Sequence, residues 1–330
     1  MNLDKENKKG TVASESSPFS VSDINSRDQL AAPSRPPFGY YGAKQRIATK
    51  IIASFPPHNA WVEAFAGSAA ITLAKKPAPI EIVNDLDGDI VNVFKQLREN
   101  SDALCRAIAL TPYAREEYFR ARHDRKSQDP LERARQFVVA TMMTVNSTAV
   151  NGLTCGFSYS QSYARSGVEA RVNRWYNLPE RLMQVIERLR KVRIESRDAR
   201  EIVRMFLDRP ATLMYLDPPY FVERAYGYAI DAKDEPFHRE LLELCCKSRA
   251  MLIVSGYKNK LYDSILTRER GWRRSTILTL TRDTKGKDHA RTEVLWKNAQ
   301  FVRAKADGRI QLRLTRKEIE ENKINPPRKK

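Results

Sequence analysis

Asp217-Pro218-Pro219-Tyr220 gathers an acid, rigid carbonyls and an aromatic ring within four residues. A flat, amino-bearing ring suits that set. Carboxylate and carbonyl oxygens accept from the amino group, and the tyrosine face stacks on the ring. The tetrapeptide follows the apolar run Thr212 to Leu216, which reads as a buried strand. Two prolines end that strand and fix the backbone beyond it. In open α/β sheets the carboxyl edge of a strand is where ligands bind. Asp-Pro-Pro also makes ordinary turns, and alone it does not choose between the two readings.

Other residues have the types and spacing to complete a site. Glu63-Ala64-Phe65-Ala66-Gly67-Ser68-Ala69 follows an apolar run and opens a helical pattern. Its small residues let backbone approach a ligand closely. Asp85 comes about twenty residues later, where a carboxylate can accept from ribose hydroxyls. Asp87 and Asp89 read equally well as helix-capping acids, and so does Asp198 beside its alternative, an acceptor for an adenine amino group. Phe38 to Lys44 sets glycines and aromatics beside a lysine. That suits a loop over a planar, carboxylate-bearing ligand, or a plain turn before a helix.

Alternating strands and helices must position these groups. Strands are expected at 60–63, 80–83, 192–195, 212–216 and 251–254. Helices are expected at 68–75, 90–98, 199–207 and 238–247. A closing strand pair at 275–281 and 292–296 adds an antiparallel edge. The pattern predicts an α/β fold with a mostly parallel, doubly wound sheet. The alternation breaks between 101 and 190, a segment helical at both ends, with Leu182, Ile186 and Leu189 on one face of its last helix. Its centre, Thr141 to Ala164, has no charged residue and is rich in Ser, Thr, Asn and Gly, the composition of a recognition loop. The expected plan is a polar arm at 1–36, a catalytic domain at 37–100 and 191–300, an inserted lobe at 101–190, and a basic tail at 301–330.

Composition narrows the partners. The 330 residues include 58 Lys plus Arg against 40 Asp plus Glu, a net charge of +18. That excess favours a polyanion, nucleic acid first. The most apolar stretch, around Phe137 to Val145, is too short to span a bilayer. Met1 to Ser20 has no apolar signal core. Four cysteines, Cys105, Cys155, Cys245 and Cys246, fit neither a zinc site nor a disulfide framework. A reduced cytoplasmic setting, with no metal and no membrane, is expected.

The ordered set is Gly39-Tyr40-Tyr41-Gly42-Ala43-Lys44, Val62 to Ala69, Asn84-Asp85-Leu86-Asp87, Asp198, Asp217 to Tyr220 and Thr292-Glu293-Val294-Leu295-Trp296. It resembles the Dam-like DNA adenine-N6 methyltransferases, above all their phage and prophage-borne members, over residues 37–298. The resemblance implies a Rossmann-like class I methyltransferase with a seven-stranded sheet and an inserted, mainly helical target-recognition lobe. It also implies S-adenosylmethionine as cofactor. Tyr40 and Lys44 match the loop that contacts this cofactor. Glu63, Phe65 and Gly67 match the loop beneath its methionine part. Asp85 matches the ribose-binding acid, Asp198 the residue near the cofactor adenine, and Asp217, Pro218, Pro219 and Tyr220 the catalytic motif. Ala64 replaces the family's common proline, and Ala69 stands where many members have a second glycine. Asn146, Asn151 and Gly152 echo the family's recognition hairpin, whose base-reading residues find no clear counterpart here.

The implied reaction is site-specific methylation of a flipped adenine in double-stranded DNA by direct in-line transfer. A restriction endonuclease partner is open, and no obligate protein partner is expected. The segment Arg268 to Arg291 holds eight basic and three acidic residues, net +5. Arg273, Arg274, Arg282, Lys285 and Lys287 are its candidate phosphate contacts. A cytosine-C5 enzyme needs a Pro-Cys nucleophile, and no proline here precedes a cysteine. A cytosine-N4 methyltransferase, an RNA adenine methyltransferase and a non-catalytic DNA-binding relative remain open alternatives.

Overall fold

The computed structural model describes residues 34–40, 44–123, 127–145, 156–161, 164–165, 167–220, 234–282 and 288–309. Nine strands form within them: β1 (Ala60–Glu63), β2 (Ile80–Asn84), β3 (Ala164–Arg165), β4 (Val168–Glu169), β5 (Val192–Glu195), β6 (Thr212–Leu216), β7 (Met251–Gly256), β8 (Arg273–Arg282) and β9 (Asp288–Lys297). β1, β6 and β7 are buried at every position. Their unbroken apolar runs suit parallel strands covered on both faces. The helices are α1 (Ala48–Ile52), α2 (Ala70–Ala74), α3 (Gly88–Glu99), α4 (Ser101–Leu110), α5 (Arg115–His123), α6 (Pro130–Met142), α7 (Ala170–Tyr176), α8 (Leu178–Leu189), α9 (Ala199–Phe206), α10 (Glu235–Lys247), α11 (Lys260–Ile265) and α12 (Ala299–Asp307).

The main sheet has seven strands in the order β5-β2-β1-β6-β7-β9-β8. The first five are parallel, and β9 joins β7 and β8 antiparallel. This is the expected α/β sheet with its antiparallel edge. From β1 the chain builds outward through β2 and β5, then returns to lay β6 on the other side of β1. The crevice between the carboxyl ends of β1 and β6 is therefore the switch point where such sheets bind ligands.

Side chains alternate between two covered faces. Val62, Met214, Val254 and Trp296 pack with Ile202 of α9, Leu241 of α10 and Tyr262 of α11. Trp61, Leu213, Ile253 and Leu295 pack with Ile51 of α1 and Phe301 of α12. Towards the β5 edge, Val83 and Val192 are covered by α3 and α8. That core runs on through Leu104 of α4, Tyr118 of α5, Phe137 of α6 and Trp175 of α7. The segment after α3 is thus built onto the sheet. A buried ion cluster pins α8: Glu81 of β2 accepts from Lys75 Nζ at 2.6 Å and from Arg188 at 2.9 Å.

Several boundaries moved. The first expected helix begins two residues late, as α2, because Ala69 is left-handed at φ 55° and the helix can start only after it. β8 and β9 are ten residues each, longer than their apolar centres. Cross-strand hydrogen bonding carries them into polar sequence. Cys105 and Cys245 are buried thiols, and burial pushes Cys105 up to about 11. Among the described residues no helix is long and apolar enough to cross a membrane.

Candidate active site

β1 and β6 run side by side, with Glu63 opposite Tyr215, and both strands end at the crevice. Asp217 leaves the end of β6 with one hydrogen bond to each carboxylate oxygen. Its Oδ2 accepts from Lys44 Nζ at 2.6 Å, and its Oδ1 accepts from Ser255 Oγ at 2.9 Å. Ser255 lies in β7 and is itself 2.8 Å from the Tyr215 hydroxyl. Because Ser255 gives its proton to Asp217, Tyr215 donates to Ser255. A buried relay thus fixes one carboxylate oxygen and a buried cation fixes the other.

Lys44 also donates to the Tyr220 hydroxyl and stands 4.9 Å from that ring's centre. The Tyr220 hydroxyl in turn reaches both carboxylate oxygens of Glu293, at 3.3 Å each. Glu293, in β9, lies 3.7 Å from Lys44. The Lys44 side chain is only 6% exposed and Glu293 only 4%, so these charges meet with little water between them. Burial pushes the Glu293 carboxyl up to about 7; Asp217 adds to the rise, and Lys44 and Tyr220 oppose it. Tyr257 packs on the outer side of Tyr220, ring centres 4.3 Å apart, and receives Arg291 on its hydroxyl at 3.2 Å.

Beside this cluster a cleft of about 890 Å³, counting space open to solvent, runs along the ends of β1, β2, β5 and β6. Tyr40, Lys44, Glu63, Phe65, Gly67, Asp85, Asp198 and Asp217 all line it. The structure therefore brings together every residue expected to hold a cofactor, and Pro219 joins them. Gly67 has φ 50°, and a Cβ there would stand 2.9 Å from Tyr40 Cδ1. Only glycine lets the Tyr40 ring lie so close. Asp85 holds this loop: its Oδ2 accepts the Gly67 N–H at 2.7 Å and its Oδ1 the Asp87 N–H at 2.9 Å. Burial still pushes Asp85 up to about 6 against those two bonds. Glu63 accepts both the backbone N–H and the hydroxyl of Thr72, and burial lifts it to about 7.

The capping readings also hold. Asp87 caps α3 through the Asp89 N–H at 2.9 Å, and Asp198 caps α9 through the Arg200 N–H at 2.8 Å. Arg200 grips the same Asp198 carboxylate at 2.6 Å and holds it below the usual carboxylate range. The Asn84 side chain donates to the carbonyls of Ala64 and Arg197, at 2.9 and 3.0 Å, and so ties the loops after β1 and β5 together beneath the cleft.

The described candidate phosphate contacts, Arg273, Arg274 and Arg282, do not line this cleft. Arg273 and Arg274 are exposed at the start of β8, facing Lys297 and Trp296. Glu293 pairs with Ile277, four residues further along, and the register sets Arg273 level with Ile253, Tyr215 and Glu63 across the sheet. Arg274 lies 3.5 Å from Asp263. The backbone of Arg282 closes the hairpin opposite Asp288. Lys285, Lys287, Asn146 and Asn151 fall outside the described residues. Sequence reasoning assigned no role to Glu293, Ser255, Tyr215 or Tyr257. The available signal for Ser255 was a single polar side chain in the otherwise apolar strand β7.

The cleft has the chemistry of a nucleoside-bearing, charged ligand. Ser68 Oγ is buried with no hydrogen-bond partner among the described residues, a donor at the foot of the Gly67 loop. Leu86 and Phe237 offer apolar surface near two carboxylates, Asp85 and Asp198. No curated protein matches the chain. Among solved structures it is similar to the precorrin 8W decarboxylase of Methanobacterium thermoautotrophicum. That similarity covers 80% of this chain and 95% of the other, at 9% identity and a TM-score of 0.34, too loose to bear on function. The profile of the D12 class N6 adenine-specific DNA methyltransferases matches residues 40–277, from the Tyr40 loop through Asp217-Pro218-Pro219-Tyr220 and into β8. With that match spanning most of its length and the lysine-held acid at its centre, the chain belongs to the D12 class N6 adenine-specific DNA methyltransferase family.

Proposed function

We propose that the protein methylates N6 of an adenine flipped out of duplex DNA, at a specific sequence, with S-adenosylmethionine as donor. The observation that carries this reading is the fixed carboxylate of Asp217, held by Lys44 and Ser255 next to the Tyr220 ring. The N6 lone pair is delocalised into the adenine ring, so N6 is a weak nucleophile. Asp217 and the Pro218 carbonyl accept its two amino hydrogens and hold the nitrogen nearer tetrahedral geometry. Most of the acceleration then comes from positioning and fixed charge. Flipping the base costs a few kcal/mol. Stacking on Tyr220, about 1–3 kcal/mol, offsets much of it.

The residues present fit the cofactor. Tyr40, Phe65, Gly67 and Ser68 would hold its amino-acid end. Asp85 would accept from the ribose, since a carboxylate already taking two N–H bonds still has lone pairs to offer. Asp198 would stand near its adenine. The bound cofactor supplies a methyl carbon made electrophilic by a sulfonium centre. The protein's net charge of +18 suits a DNA partner, with the segment 101–190 and the β8–β9 hairpin flanking the duplex. Titration calorimetry with S-adenosylmethionine tests the reading, and one saturable site per chain is expected. A folded protein giving no binding heat at any temperature would leave a non-catalytic DNA-binding relative as the better description.

A further inference from the structure

Glu293 is a second buried carboxylate in this cluster, and adenine need not touch it. It lies beyond the family-matched residues 40–277. Hydrogen bonds connect it to Asp217 in one direction. Lys44 donates to Asp217 Oδ2 and to the Tyr220 hydroxyl, and the Tyr220 hydroxyl donates to Glu293. N6 has two protons before methylation and one after, so each turnover must dispose of a proton in a site with little water.

Building on the functional reading above, we propose that Glu293 is the terminal acceptor of the proton that N6 gives up, reached through Asp217, Lys44 and Tyr220. The methylated nitrogen is cationic. It breaks one N–H bond, keeps the electron pair and passes the proton to Asp217. Lys44 Nζ gives a proton to the Tyr220 oxygen as Tyr220 gives its own to Glu293. Nζ then takes the proton from Asp217. Lys44, Tyr220 and Asp217 return to their starting charges, and Glu293 ends neutral. It loses its proton to solvent between turnovers.

The direction of flow follows from the surroundings. Lys44 stands 2.6 Å from Asp217 and 3.7 Å from Glu293, and the Ser255 hydroxyl donates to Asp217. Burial pushes the Glu293 carboxyl up to about 7. The titratable groups that face it among the described residues are Lys44 from the turn before α1, Tyr215 from β6, and Asp217 and Tyr220 just beyond β6. Its neighbour on β8 is the uncharged Ile277.

Two measurements test the relay. The first is kcat against pH with saturating DNA and cofactor. The wild type should rise to a plateau through an apparent pKa near 7. Glu293→Gln should lose that limb and about ten- to a hundred-fold of the plateau, with both KM values little changed. Glu293→Asp should restore the limb in part. A purely structural Glu293 would leave the limb in place in the glutamine variant, and that result overturns the proposal.

The second uses the protein without cofactor or DNA. In ¹³C-carboxyl NMR, the signal absent from Glu293→Gln should titrate near 7, and Asp217→Asn should move its midpoint down. Titration in the ordinary glutamate range also overturns the proposal. If the wild type methylates DNA but the limb survives in Glu293→Gln, the relay alone fails. If the wild type methylates nothing, the functional reading and the relay fall together.

Discussion

Asp217→Ala is expected to lower the single-turnover rate of methyl transfer by on the order of a thousand-fold, roughly 4 kcal/mol in the barrier. In the structure the carboxylate balances Lys44 at 2.6 Å and anchors the Ser255 relay at 2.9 Å, and in the proposed mechanism it also accepts from the amino group, three tasks in all. Alanine removes all three and leaves the 6%-exposed Lys44 without its 2.6 Å carboxylate partner, with Glu293 at 3.7 Å and the Tyr220 hydroxyl beside it. Breaking a buried ion pair is costly, so some loss of stability should accompany the loss of rate. Asp217→Asn separates the effects. It keeps the shape and an acceptor oxygen but not the charge, and it should lose most of the rate while holding its Tm better than alanine. Thermal denaturation beside single-turnover kinetics reads both. A folded Asp217→Ala protein with near-normal turnover would remove Asp217 from the mechanism.

Gly67→Ala is the second large effect, and it should appear in cofactor affinity. At φ 50° an alanine pays the left-handed penalty, about 1–2 kcal/mol. Its Cβ would also meet Tyr40 Cδ1 at 2.9 Å and Cε1 at 3.2 Å, so the ring must move. The free loop will relax away from its present shape, and binding must restore that shape. The dissociation constant for S-adenosylmethionine should rise at least about tenfold. Turnover at saturating cofactor should fall much less, because Asp217, Lys44 and Tyr220 are untouched. The protein already accepts one left-handed alanine nearby, Ala69 at φ 55°, whose side chain is fully buried in the core. The difference at Gly67 is the aromatic ring against it. Calorimetry on the folded variant, with affinity unchanged, would show that the Tyr40–Gly67 contact does not shape the site.

Much of this arrangement was legible in the chain. β1, β6 and β7 announce themselves as apolar runs because parallel strands are covered on both sides. Glu63, Asp85 and Asp217 follow such runs directly, and the βα alternation requires those strand ends to share one edge of the sheet. The Asp198 cap was visible in principle, but the bidentate grip of Arg200 was not, since it depends on a side-chain conformation. Glu293 was hidden for another reason. It meets Lys44 across 249 positions of sequence and Tyr220 across 73, and only the antiparallel insertion of β9 beside β7 brings them together. Ser255 looked like one more residue of a buried strand. Arg273 and Arg274 stand out in the sequence by charge alone, and charge does not say at what level of the sheet a strand begins.

The central claim is that this cluster methylates the amino nitrogen of adenine in DNA. Its most direct test is incubation of the purified protein with duplex DNA and methyl-labelled S-adenosylmethionine, followed by digestion to nucleosides and mass analysis. Label in N6-methyladenosine's deoxy form, absent with Asp217→Ala, is the predicted result. Label in N4-methylcytosine, or label in RNA but not in duplex DNA, would contradict it.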